Sequence, residues 1–368
     1  MKRLPLAAFI LSMLVLAGAH AAEKIVIGVS APLTGALAPY GTELEKGLKL
    51  GIAQANAAGG IGGREIELLV KDDAGKADRA LANTKALIDA GVLALTGYHG
   101  SASIEAALAL IDQSGTPLIG VASGAEPARE PARRGVFNLR AGVRDEAAAM
   151  VLHMDTVGKT EIAAIAQDDA LGSAALEGVQ FELTRLAIRP QALVRLPAGA
   201  SAGDVNRSVQ AACKGHPQAL VLGLNAANAM AAIRQARKAG CTPQFYVISE
   251  AGAELLALAV APDELAGVIV SQVMPHPRSS SMPITLDYQR LAGESASYAG
   301  LEGFVYARVI AAALKACVGQ LQRQCVITAL ESKPTDVGGY RVQFKPDDRR
   351  GSRFVEMTIV TADGRFRR

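Results

Sequence analysis

The sequence predicts an α/β protein made of two doubly wound, Rossmann-like units in series. Three observations predict it. Short apolar runs rich in β-branched residues alternate with helical stretches. The alternation stops at residues 126–135, where Pro, Arg and Glu crowd together, and then restarts. Residues 22–368 follow an N-terminal export signal, more chain than one core ordinarily holds.

The export signal comes first. Lys2 and Arg3 precede an apolar run from Leu6 to Leu16, broken only by Ser12, and Ala19-His20-Ala21 supplies a small-x-small cleavage pattern. The run is shorter than the roughly 20 apolar residues a membrane span needs. The expectation is cleavage after Ala21 and a mature chain free in the periplasm. No Cys lies near the cleavage point to carry a lipid.

Residues 25–29 read as a buried strand. Residues 42–57 have helical periodicity, with Leu44, Leu48, Ile52 and Ala55 on one face, and Gly59-Gly60 ends the helix. Strand 65–70, helix 76–90, strand 92–96, helix 101–113 and strand 117–120 complete the first unit. After the pause come helix 145–157, strand 161–166, helix 173–186, strand 191–196, helix 204–213 and strand 219–223. Helix 226–239, strand 245–248, a short helix near 253–259 and strand 268–272 follow. This rhythm argues for parallel sheets covered on both faces. The last hundred residues change character: helices near 283–292, 301–317 and 325–331 precede a hairpin-like pair, 340–344 and 354–360. Ligands of open parallel sheets sit beyond the carboxyl ends of the strands. That directs attention to the loops 30–41, 97–101, 120–126, 167–172, 223–228 and 248–252.

Half of the chain is apolar, enough for large cores. Without Lys2 and Arg3 the balance is 36 basic against 35 acidic residues, so nothing argues for nucleic acid or an anionic membrane surface. The late cluster Arg349, Arg350 and Arg353 directly follows Asp347-Asp348 and reads as solvated surface. The four cysteines, Cys213, Cys241, Cys317 and Cys325, lack zinc-site spacing, so no metal is expected. An oxidising compartment permits disulfides, and four cysteines allow three pairings. Cys213 and Cys241 each precede a strand, at one edge of one sheet if those strands are neighbours. Cys317 closes a helix and Cys325 opens the next. These positions favour Cys213–Cys241 and Cys317–Cys325, the alternative being four small buried thiols.

Catalytic patterns are weak. Gly199-Ala200-Ser201-Ala202-Gly203 matches the G-x-S-x-G elbow, but Pro197-Ala198 separates it from the strand and Asp204 reads as a helix cap. The glycines at 59–63 lack a following Lys-Ser/Thr and precede a strand, so they read as a turn. Asp72-Asp73 and Asp168-Asp169 are neighbours at strand ends, with side chains directed to opposite faces. No catalytic residue and no cofactor is assigned.

The strand-end loops carry a resemblance. Ile27-Gly28-Val29 leads to Pro32-Leu33-Thr34-Gly35 and Tyr40-Gly41. Asn56-Ala57-Ala58-Gly59-Gly60-Ile61-Gly62-Gly63-Arg64 leads to Asp72-Asp73. Gly97 and Ser101 open a helix, and Arg234-Gln235-Ala236-Arg237-Lys238-Ala239-Gly240 follows later. In this order the pieces resemble the leucine/isoleucine/valine-binding family of type I periplasmic binding proteins. The resemblance implies two lobes joined by three crossovers, one of residues 22–140 plus 276–340 and the other of 141–275 plus 341–368.

It also implies a ligand site. Ser101, at a helix start, would hold a ligand carboxylate, although plain N-capping explains a Ser there equally. Ala122-Ser123-Gly124 would supply a carbonyl and a hydroxyl. Gly124 stands at the family's hydroxyl position, with Ser123 beside it. Tyr40 would wall the pocket or pack its loop. Leu171 and Asn225 stand where the family has Tyr, and Glu250 stands where it has an acid facing the ligand ammonium, unless Glu250 caps the following helix. The pocket should therefore be roomier than one fitted to leucine.

The function expected is that of a periplasmic solute-binding protein, without enzymatic activity and monomeric. It would deliver an amino acid or related small carboxylate to an inner-membrane ABC permease. A ligand-sensing subunit for a receptor and a binder of an aromatic acid are the alternatives, and a serine hydrolase is the remotest.

Overall fold

The computed structural model describes residues 23–131, 133–252 and 259–368. The export signal expected at 1–21 lies outside the described residues, as do residues 253–258 of the helix expected near 253–259.

The first sheet holds β1 (Ile25–Ala31), β2 (Ile66–Asp72), β3 (Ala94–Thr96), β4 (Leu118–Ile119) and β5 (Val136–Phe137), in the order β2-β1-β3-β4-β5. All its pairings are parallel. Strand β5 is not legible in the sequence, because two residues are too few to show an alternation. Helices α1 (Ala38–Ala57), α2 (Ala77–Asp89) and α3 (Ser101–Ser114) connect the first strands. α1 starts four residues earlier than its periodicity indicates, because Pro39 sits in the first turn, where a missing N–H costs nothing.

The second unit runs through α4 (Val143–Thr156), β6 (Ile162–Gln167), α5 (Ala170–Arg185), β7 (Ala192–Leu196), α6 (Ala202–Cys213), β8 (Ala219–Gly223), α7 (Ala226–Lys238), β9 (Gln244–Val247) and β10 (Ile269–Gln272). The chain then returns to the first lobe with α8 (Pro283–Ala292), α9 (Tyr298–Ala316) and α10 (Arg323–Ser332). β11 (Thr335–Asp336) and β12 (Arg341–Val342) form a small antiparallel pair, and β13 (Glu356–Val360) and β14 (Phe366–Arg367) join the second sheet. The second sheet reads β14-β13-β10-β9-β8-β6-β7. Its parallel part repeats the strand order of the first sheet.

The hairpin expected between 340–344 and 354–360 does not form. β12 pairs with β11 across Gly338 and Gly339, whose amides both donate to Asp336 Oδ1, at 3.0 and 2.7 Å. β13 pairs antiparallel with β10 and with β14. Period-2 alternation marks a strand but not its partner. The connecting segment packs on the first lobe: Val342 and Phe344 lie in its core, and Gly351 N donates to Asn138 O at 2.8 Å.

Each sheet is covered on both faces. α1, α9 and α10 enclose one core with the inward residues Ile25, Ile27, Val29 and Ala31 of β1, and α2 and α3 close the opposite face. In the second lobe α4 and α5 cover one face and α6 and α7 the other. The two helices that carry much of the site cross without intervening side chains. A Cβ on Gly47 would lie 1.8 Å from Gly300 O, and one on Gly303 would lie 2.0 Å from Leu44 O. This contact brings Tyr40 on α1 to Glu302 on α9.

The chain passes between the lobes three times: from β5 to α4, from β10 to α8 and from β12 to β13. Cys213 is bonded to Cys241 and Cys317 to Cys325, with Cα separations of 6.2 and 5.9 Å, the pairs favoured by the order of the elements. Among the described residues no helix is long and apolar enough to cross a membrane.

Candidate functional site

Strand order locates the site. In each sheet the connections reverse direction between the first strand of the unit and its third, β1/β3 and β6/β8, which opens a crevice at the carboxyl edge. Asp72 shapes the loop after β1. Its carboxylate accepts from Leu33 N, Thr34 N and Ala74 N, at 2.8, 3.2 and 2.9 Å, and from Thr34 Oγ1 at 2.6 Å. Burial pushes its pKa up, but these four donors outweigh that and hold it below the usual carboxylate range. In the second sheet Asn225 Nδ2 donates to Gln167 Oε1 at 2.8 Å, across the corresponding crevice.

Ser101 is the first residue of α3, and Gly100 is the N-cap. The Ser101 hydroxyl therefore does not cap the helix. It lies 3.1 Å from Ser123 Oγ. The first intrahelical bond of α3 is from Ile104 N to Gly100 O, which leaves the amides of the first turn outside the helical ladder. Ser123 Oγ in turn donates to Glu250 Oε1 at 2.9 Å, and Gly124 N donates to the same oxygen. Glu250 follows β9 in the opposite lobe, so this cluster spans the cleft. Gly124 has no room for the family's hydroxyl: a Cβ there would lie 2.5 Å from Val143 Cγ2.

Ala122 and Tyr40 join this cluster through a residue that the sequence analysis missed. His99 Nδ1 donates to Ala122 O at 2.6 Å, and its ring stacks on Tyr40 with centroids 4.1 Å apart and planes 10° from parallel. Leu171 and Asn225 have other surroundings. Leu171 packs in the core cluster that contains Val143. Asn225 is the N-cap of α7 and accepts from Asn228 N at 2.9 Å.

Behind the cluster lies a buried charge network. Arg140 is 1 % exposed. Its guanidinium lies 3.6 Å from both Glu146 and Glu302, and donates to Tyr40 Oη at 3.4 Å and to Ser249 Oγ at 2.5 Å. Burial disfavours its charge, but Glu302, Tyr40 and Glu146 outweigh that and hold it firmly cationic. Glu146 accepts from Ser249 N, Ser249 Oγ and Ser271 Oγ, at 2.8, 2.9 and 2.5 Å. Its burial still pushes its pKa up, against the pull of Arg140 and these donors. Tyr40 Oη donates to Glu302. The network ties the first crossover to both lobes. Its sequence signal is a charged residue inside an apolar helical face, as at Glu302 in the run Leu301–Val305.

The catalytic patterns resolve as structure. Ser201 is the N-cap of α6 and shares a capping box with Asp204, so the G-x-S-x-G match is a cap. Among the described residues no group of His, Cys, Asp and Glu is arranged to hold a metal.

Two doubly wound lobes, three connections between them and polar groups of both lobes meeting over the strand ends define a bilobal ligand-binding protein of the type I periplasmic binding fold. The chain belongs to the periplasmic binding protein family, whose family model matches residues 24–365. A crystal structure of an extracellular ligand-binding receptor from Verminephrobacter eiseniae is 27% identical. It superposes with a TM-score of 0.84 over 94% of this chain and 100% of that one. A substrate-binding periplasmic protein from Ralstonia solanacearum is 29% identical, with a TM-score of 0.80 over 93% of this chain and 99% of that one. An amino acid binding protein of Pseudomonas aeruginosa is 27% identical over 259 residues, 68% of each chain. These relatives are described as a ligand-binding receptor, a substrate-binding periplasmic protein and an amino acid binding protein.

Proposed function

We propose that this protein is the periplasmic solute receptor of an ABC importer. In this reading it carries an amino acid or a related small carboxylate to an inner-membrane permease and returns it unchanged. One observation carries the reading: Ser123 and Gly124 of one lobe and Glu250 of the other share a carboxylate oxygen across the cleft. Hydroxyl and amide donors that hold the chain's own carboxylate suit a ligand carboxylate equally, and the first turn of α3 beside Ser101 favours negative charge. An α-amino acid entering there displaces Glu250 from Ser123 and presents an ammonium to it. Opposite charges at the two ends of the ligand then join the lobes by charge-assisted hydrogen bonds.

The amino acid binding relative and the leucine-, isoleucine-, valine-, threonine- and alanine-binding relative of Pseudomonas aeruginosa, 32% identical over 99 residues, support the amino-acid class. Leu171 in the core and Asn225 as a helix cap, in place of two aromatic walls, favour a side chain unlike leucine's. The mature chain, starting at Ala22, acts as a monomer. A thermal-shift screen of amino acids and small carboxylates tests the reading, since a ligand at 100 times its dissociation constant adds about 2.7 kcal/mol of stability. A dye is needed as the reporter, because the sequence has no Trp. Stabilisation by an amino acid that Ser101→Ala abolishes supports it. No stabilisation by any member of the panel overturns it.

A further inference from the structure

The second crossover carries a histidine between two prolines, Pro275-His276-Pro277. Each proline fixes its own φ, and Pro277 disfavours helical backbone at His276, so the segment is stiff. It continues from β10 of the second lobe into a turn in which Ser279 N donates to His276 O at 2.9 Å. Ser279 O accepts from Thr285 Oγ1 and Gln289 Nε2 of α8, at 2.6 and 2.8 Å. The turn is thereby fixed to the first lobe, and His276 stands at the junction of the two.

His276 holds this junction in one tautomer. Its Nδ1 accepts from Arg278 N at 3.1 Å, so the ring is neutral and carries its proton on Nε2, which faces Phe366 O at 3.4 Å. Phe366 belongs to β14, in the sheet of the second lobe. The ring also meets Tyr298, at the start of α9 in the first lobe, edge to face with centroids 5.6 Å apart. Tyr298 meets Phe366 in the same way at 5.7 Å. One side chain on the crossover therefore touches both lobes, and its contacts require the lobes to be together.

Protonation reverses the Nδ1 contact. An Nδ1–H would confront Arg278 N–H, donor against donor, so the ring must turn and give up Phe366 O and the edge of Tyr298. The surroundings offer the cation little. Arg367 of β14 and Arg368 after it repel a charge there, and Glu356 of β13 attracts it but already pairs with Arg368. Arg278 is exposed, and its guanidinium donates to Glu294 O. Tyr298 stays neutral, burial pushing its phenol up. Burial, with the two arginines, outweighs Phe366 O and Glu356 and holds His276 below the ordinary 6.5.

We propose that His276 is a pH-sensitive latch: neutral, it holds the lobes together across the second crossover, and protonated, it lets them part. The chain then binds this proton more readily with its lobes apart than together. Falling pH therefore favours the open form, by at most about 10-fold per pH unit for a single group. The proposal rests on the hinged lobes and on no ligand, so the test uses none. Small-angle scattering of the full mature chain should show a reversible rise in radius of gyration from about pH 7.5 to about pH 5.5, the window in which histidine titrates, with unchanged circular dichroism. His276→Asn should remove the rise, because an Asn side-chain oxygen accepts from the backbone N–H two residues on and does not titrate. His153→Gln, on α4, should keep it. An unchanged radius in the unaltered chain overturns the proposal, and so does the same rise in His276→Asn. Loss of the rise in His153→Gln overturns it too, since the titrating group then lies within the second lobe. A rise accompanied by loss of helical circular dichroism does the same, because unfolding then causes it.

Discussion

Ser123 Oγ donates to Glu250 Oε1 at 2.9 Å, joining the loop after β4 in one lobe to the turn after β9 in the other. The acid expected to face a ligand ammonium thus rests on the donors expected for a ligand carboxylate. Glu250→Gln should then act differently on two ligand classes. Amino-acid binding should weaken by about 1.5–3 kcal/mol, the range for a hydrogen bond to a charged group. Binding of a carboxylate without an amine should stay level or tighten, because an amide competes less well than a carboxylate for Ser123 Oγ and Gly124 N. Calorimetry with both classes reads the difference. Unchanged amino-acid affinity would remove Glu250 from the site.

Arg140 lies between Glu146 and Glu302, 3.6 Å from each, and all three are buried. Arg140→Leu strands two carboxylates in a dry interior. The expected loss is about 3–5 kcal/mol of unfolding free energy, the range for breaking a buried pair by removing one partner. Urea denaturation measures it. A loss below about 1 kcal/mol would show that water reaches the network.

The two disulfides close loops of different length, with sequence separations of 28 and 8 residues. In the chain-entropy account, Cys213→Ala/Cys241→Ala should cost about 3.6 kcal/mol and Cys317→Ala/Cys325→Ala about 2.5 kcal/mol. Chemical denaturation of the two variants tests the order. The reverse order would mean that contacts around α10, not loop closure, set the cost.

Acid should weaken the fold through two histidines. Burial lowers the pKa of His153 and of His276 below the ordinary 6.5. His153 Nδ1 lies 2.9 Å from Tyr246 Oη, and burial pushes that phenol up to about 12, so the hydroxyl donates and a neutral imidazole accepts. A lowered folded pKa means that the unfolded chain binds more protons in the window between the two values. The contribution is complete above pH 6.5 and is lost as the pH falls through the folded values. The raised carboxyl of Glu146 acts with the opposite sign, its contribution being lost as pH rises from the ordinary 4.5 through its folded value. The midpoint of thermal unfolding should fall as the pH drops below 6.5, and His153→Gln should flatten that slope. An equal slope in the variant would remove His153 as a cause.

Much of the fold was legible from period alone. Apolar residues at helical spacing, as at Leu44, Leu48 and Ile52, and β-branched runs such as Ile25–Val29 report burial on a face, and burial on alternating elements leaves few sheet architectures open. The cysteine pairs followed from the same order. Strand β5 was too short to register, and the partners of β12 and β13 were misassigned because alternation carries no information about which strand lies alongside.

The site divides in the same way. Its loops were predictable, because ligands of such sheets lie beyond the strand ends, and Ser101, Ser123 and Glu250 stand on those loops. Only the tertiary structure brought Ser123 to Glu250, from positions 127 residues apart. Only the glycine-lined crossing of α1 and α9 brought Tyr40 to Glu302, 262 residues apart. His99 and Arg140 gave no sequence signal, since a buried polar side chain is defined by its partners, and those come from other lobes and distant helices. The sequence by itself determined which elements form and which face of each is buried. The tertiary structure decided which polar groups meet, because those distances depend on how closely two backbones approach.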